Sequence, residues 1–104
     1  MILIDRGERM INIGGHANYD EPGRDIVCAA VSMLTQTLIQ SLEELTEEKI
    51  KYVMIPGTVH IQFGDLSERA RLLVDSFFVG VSMLAEEYPD NVNVNILKPE
   101  PCKH

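Results

Sequence analysis

Residues 25–63 read DIVCAAVSMLTQTLIQSLEELTEEKIKYVMIPGTVHIQF, and this stretch decides the fold. Val27, Val31, Leu34, Leu38, Leu42 and Leu45 recur every three or four positions, the spacing of one half-buried helix stripe. Asp25 stands before them as the N-cap, and the pattern gives out near Thr46. Lys51–Ile55 and Thr58–Phe63 then read as two strands joined by a tight turn at Pro56-Gly57. In the second, Val59, Ile61 and Phe63 alternate with Thr58, His60 and Gln62, so one face is apolar and the other polar.

Upstream of this stretch, Met1–Asp5 and Arg9–Ile13 read as short strands turning at Gly7. Gly14 to Arg24 is a polar, glycine-containing loop punctuated by Pro22-Gly23. Downstream, Asp65 and Glu68 have the D-x-x-E spacing of a capping-box start to a second helix. Ala70, Leu73, Val74, Phe77, Val81, Leu84 and Tyr88 form its core stripe. Leu72, Phe78, Val79 and Met83 lie off that stripe, so the extra face is covered either within the monomer or by a second copy of the chain, and a homodimer is the favoured expectation. Pro89 ends the helix, and Asn91–Leu97 alternates Asn with Val and Ile as a strand with one solvated face does. The expectation is an α+β fold of order β-β-α-β-β-α-β: a five-stranded sheet, mixed or antiparallel, with two helices packed on one face. Residues 1–97 form one domain and 98–104 a disordered tail.

A chain of 104 residues and 11.7 kDa has room for one domain. Its formal charge of -7 and pI near 4.8 argue against nucleic acid as a direct partner, since phosphate binding is driven by cationic side chains, and favour a basic protein partner. No uninterrupted apolar run approaches a membrane span, and the start lacks the basic flank and apolar core of a secretion signal. Cys28 and Cys102 do not make a disulfide framework, which places the chain in a reducing cytoplasm.

Cys28 falls in the first turn of the first helix, where unpartnered N–H groups and the helix dipole favour thiolate over thiol. It lies off the apolar stripe, at the core's edge beside Ser32 and Thr35; a small buried residue is the plainer reading. His16, in the polar loop after Gly14-Gly15, is the residue type suited to taking the thiol proton near neutral pH, or else an exposed loop histidine. Asp25 either caps the helix or orients His16. His60 belongs to a polar strand face, Glu43, Glu44, Glu47 and Glu48 form a solvated face or a docking patch for a basic partner, and Cys102 and His104 have no metal-ligand spacing, so neither metal nor cofactor is expected. There is no P-loop, G-x-G-x-x-G or G-x-S-x-G; a cysteine–histidine hydrolase is the catalytic reading with all its parts present. A non-catalytic adaptor that binds a partner protein without cutting it and a thiol redox sensor are the competing classes, the second weakened by having only the distant Cys102 to resolve a disulfide.

Gly15 to Ser32, GHANYDEPGRDIVCAAVS, resembles the signature of the bacterial ribosomal-processing cysteine protease (Prp) family over eighteen contiguous residues. The resemblance implies a cytoplasmic endopeptidase that removes the N-terminal extension of large-subunit ribosomal protein number twenty-seven. It makes Cys28 the nucleophile and His16 the general base, and associates Asp25, Gly15, Ser32 and the loop residue Gly23 with the site. It also implies acyl transfer through a thioester, with helix-start N–H groups as oxyanion donors and a loop from Gly15 to Gly23 that moves to admit substrate. The chain departs from the pattern in a shorter N-terminal hairpin and in Asp20, which replaces a small residue.

Overall fold

The computed structural model describes residues 1–21 and 24–97; the expected tail, Cys102, His104 and Gly23 lie outside them. The elements are β1 (Ile2–Arg6), β2 (Met10–Gly14), α1 (Ile26–Leu45), β3 (Lys51–Ile55), β4 (Thr58–Gln62), α2 (Glu68–Glu87) and β5 (Val92–Ile96). They form a five-stranded sheet of order β3-β4-β2-β1-β5. The sheet is mixed: β1 pairs with β5 in parallel, and the other neighbours are antiparallel.

The register explains which side chains are buried. Ile4 lies opposite Ile13 and Val94, and Ile11 opposite Ile61, so the apolar positions of four strands share one face. That face meets Val27, Val31, Leu38, Ile39 and Leu42 of α1 and Val74, Phe77 and Val81 of α2 in one core. The opposite face carries a polar row in which Asp5, Asn12 and His60 are register neighbours, with Nδ1 of His60 bonded to Asn12. His60 thus has a local partner on the polar face.

Helix α1 keeps its expected start but its buried stripe is shifted. Leu45 is 55% exposed, while Ile39 and Thr35 are buried. Thr35 fits among apolar neighbours because its hydroxyl donates to the Val31 carbonyl at 2.7 Å. By length and composition α1 is apolar enough to cross a membrane, contrary to the expectation drawn from its interrupted apolar pattern; here six of its side chains are buried in the core.

Helix α2 starts later than the D-x-x-E spacing suggests. Ser67, not Asp65, is the N-cap, with its hydroxyl accepting from Ala70 N–H at 3.2 Å. Asp65 instead pairs with Arg9 at 2.8 Å, and Ser67 N–H donates to Glu48 at 2.8 Å. Glu48 therefore has a structural partner as well as its place in the acidic cluster. Phe78 also departs from expectation: it is buried beneath the Arg6 guanidinium, 4.6 Å from the ring centroid, and so is not part of the exposed apolar face.

Candidate active site

No side chain of β3 is buried, although Tyr52 and Met54 lie in register with the inward-facing Ile61 and Val59. The helix layer stops short of this edge of the sheet. The result is a groove of about 500 Å³ between α1 and the β3–β4 hairpin. Cys28, Ser32, Thr35 and Gln36 line it from α1, Met54 to Val59 from the hairpin, and Gly15 and His16 from the loop after β2. The fold thus brings Cys28, His16, Gly15 and Ser32 to one cleft, Ser32 one helical turn beyond Cys28.

Cys28 is a free, partly buried thiol at the third position of α1. Its sulfur receives the backbone N–H of Ala17 at 3.3 Å. Because that nitrogen is bonded to the carbonyl carbon of His16, the His16 Cα lies within about 6 Å of the sulfur. An imidazole on that Cα is within reach of the thiol by side-chain rotation. Among the described residues no hydrogen bond joins the two side chains, a common state of catalytic pairs before substrate binds.

Two glycines flank the histidine, one before it in the chain and one against its ring. Gly15 has φ +91°, and a Cβ there would collide with the Met1 carbonyl. Its N–H donates to the Gly57 carbonyl at 2.9 Å. Gly57, at φ +79°, completes the Pro-Gly turn, and a Cβ on it would stand 3.3 Å from Nε2 of His16. The hairpin turn and the histidine loop are therefore packed against each other, a contact that the Pro56-Gly57 turn signal does not reveal.

Among the described residues no hydrogen bond joins Asp25 to His16. One carboxylate oxygen accepts from Val27 N–H at 3.0 Å and Cys28 N–H at 2.9 Å; the other accepts from Tyr19 N–H at 3.0 Å and Asp20 N–H at 3.4 Å. It is an N-cap that also ties the loop to the helix start. Desolvation alone would raise its carboxyl pKa, but the hydrogen bonds from Cys28, Tyr19 and Asp20 outweigh that and hold it below the ordinary value. Of the helix-start N–H groups, Val27 and Cys28 are bound to Asp25 Oδ1, and Ala29 to the Asp25 carbonyl at 3.1 Å. Asp20 is accommodated by its own loop turn, its carboxylate accepting from Glu21 N–H at 2.7 Å.

Since folding lowers the Asp25 pKa, the unfolded chain binds that proton more readily. The stabilisation is complete above the ordinary carboxyl range and is lost as pH falls through the lowered folded value. An Asn at position 25 has only one carbonyl oxygen to offer these four donors. The Tm gap between wild type and Asp25→Asn should be widest near neutrality and close in acid, as thermal melts across a pH series would show. A gap independent of pH would rule out this linkage.

The sequence matches the family model described as cysteine protease Prp over residues 4–93. The chain is 33% identical over 84 residues to the ribosomal processing cysteine protease Prp of Staphylococcus aureus, covering 78% of this chain and 79% of that protein. It is 26% identical over 97 residues to the Bacillus subtilis protein of the same name, covering 86% and 87%. Its fold superposes on a crystal structure of the essential S. aureus ribosomal processing protease Prp with a covalently linked product peptide, at a TM-score of 0.89 and 27% identity, covering 93% of this chain and 100% of that one. A second S. aureus structure, in complex with a substrate peptide, matches at a TM-score of 0.83 and 26% identity over the same shares of the two chains. The strand and helix order, the cysteine-bearing groove and these matches agree: the chain is a cysteine protease of the Prp family.

Proposed function

We propose that this protease removes the N-terminal extension of large-subunit ribosomal protein number twenty-seven by acyl transfer from Cys28. The observation that carries this reading is the groove itself, which holds Cys28 and His16 and continues past Met54, Val59 and Val31 as a mainly apolar channel for an extended chain. The S. aureus structures with substrate and product peptides support a peptide occupant. His16 takes the thiol proton, Cys28 attacks the scissile carbonyl, and the C-terminal product leaves with a new amino terminus. Water then releases the leader from the thioester. The charge of -7 suits a basic ribosomal substrate.

The test is mass spectrometry of the host's precursor protein incubated with the full chain. A single cut behind the extension is expected. Precursor left intact by a folded enzyme would overturn the substrate assignment and favour a non-cutting adaptor.

The protease works in the cytoplasm, where Cys28 stays reduced, and as a homodimer. Leu72, Val79 and Met83 are 69%, 63% and 64% exposed along one stripe of α2, the spacing that a second copy would cover. Light scattering after size exclusion should give twice 11.7 kDa for the wild type and a shift toward the monomer mass for Val79→Glu. A wild-type mass of one chain would remove the dimer.

A further inference from the structure

The loop that carries His16 is also held by a residue that does not line the groove. Asn91, at the junction of α2 and β5, donates from its side-chain Nδ2 to the carbonyl of Ala17 at 2.9 Å. Ala17 is 1% exposed, and its N–H is the group that points at Cys28 Sγ, 3.3 Å away. Asn91 is itself fixed by backbone bonds: its N–H donates to the Tyr88 carbonyl at 2.9 Å and its carbonyl accepts from Ile2 N–H at 2.8 Å. Beside it, the Tyr19 and Tyr88 rings meet edge to face, 5.2 Å between centroids. The side chain at position 91 thus grips one end of the residue whose other end meets the sulfur.

We propose that Asn91 is a positioning residue for Cys28: it fixes Ala17 so that the Ala17 N–H stays directed at the sulfur, stabilising the thiolate before attack. The inference rests on Cys28 being the nucleophile. It adds a residue lying in sequence far from the signature that contains Cys28 and His16, and assigns its side chain a role in the reaction. A hydrogen bond to an anion is worth more than one to its neutral form. An Ala17 amide free to turn away would therefore cost the thiolate more than the thiol. The titratable groups around the sulfur are Asp25 at the head of α1, which hydrogen-bonds the Cys28 side chain, and His16 in the loop, with Tyr19, Asp20 and Glu21 further along that loop. The hairpin from Met54 to Val59 brings none, nor does Ile2 of β1, and at the α2–β5 junction Tyr88 faces Tyr19. All of these are retained when Asn91 is changed.

The experiment uses the full chain carrying Cys102→Ser, so that iodoacetamide reports on Cys28 alone. In Asn91→Ala the pH profile of alkylation should move to higher pH by about one unit, the size expected from losing one hydrogen bond to a charged group. Asn91→Asp, nearly the same shape but with no donor when ionised, should move it in the same direction. A profile that coincides with the parent's in either folded variant would overturn the proposal, because a purely structural residue lowers Tm without moving the profile. Should both variants fail to fold, NMR of the parent decides. A scalar coupling should cross from the Asn91 side-chain amide to the Ala17 carbonyl, and Cys28→Ala should shift the Ala17 amide proton. Absence of either overturns the proposal. Alkylation needs no peptide cleavage, so failure of the substrate assignment, read from precursor mass, is seen separately.

Discussion

Cys28→Ala should abolish cleavage of the ribosomal precursor, lowering the rate by about 10⁴-fold or more, because the proposed thioester forms on the Cys28 sulfur. The fold should survive the change. Asp25 keeps the backbone N–H of position 28 and its other amide donors, and the side chain gives up only the Ala17 amide and the thiol's hydrogen bond to Asp25. The informative measurement is single-turnover cleavage with circular dichroism and thermal melting on the same preparations. A folded Cys28→Ala protein that cuts at a rate within tenfold of wild type would show that the thiol is not the attacking group. Intact-mass analysis adds a positive sign, since the wild type should carry a transient mass increase equal to an acylated leader and the variant should not.

His16→Ala should lower kcat by about 10² to 10⁴-fold, the usual share of a positioned general base, with a smaller effect on KM. The loop itself has other anchors: Gly15 N–H to the Gly57 carbonyl at 2.9 Å, the Ala17 carbonyl to Asn91, and the Tyr19 and Asp20 amides to Asp25. None uses the imidazole. Losing the ring should therefore remove proton transfer without dissolving the groove, and added imidazole should restore part of the rate. A kcat within threefold of wild type would take the base assignment away from His16. These anchors also bear on the expected movement of the loop: admitting a peptide by shifting residues 15–21 means breaking several of them, whereas turning the His16 side chain breaks none of these backbone bonds.

Much of the architecture was legible because periodicity reports burial directly. The alternation of Val59, Ile61 and Phe63 and the three-four spacing of Val27, Val31, Leu38 and Leu42 correspond to the faces that pack. The errors came where local spacing competes with tertiary geometry. Asp65 and Glu68 fit a capping box, but the chain needs two further residues to pass from β4 to the helix layer, so Ser67 caps and Asp65 goes to Arg9. Leu45 continues the α1 stripe on paper, yet it lies at the helix end with its side chain 55% exposed.

The sequence by itself determined the order of elements, the place of Cys28 in the first turn after an Asp cap, and the signature from Gly15 to Ser32 that relates the chain to the Prp proteases. Those are properties of neighbours in the chain, and short-range spacing encodes them. Only the tertiary structure decided where the groove lies, because it exists where the helix layer fails to cover β3, and no residue pattern states how far two helices reach across five strands. The same holds for the Asp25 carboxylate, whose cap extends in the structure to four amide donors, two of them from the loop. It holds most of all for Asn91, which reads along the chain as one polar position of an alternating strand and becomes part of the site because parallel pairing of β5 with β1 carries it to Ala17, 74 residues away in sequence.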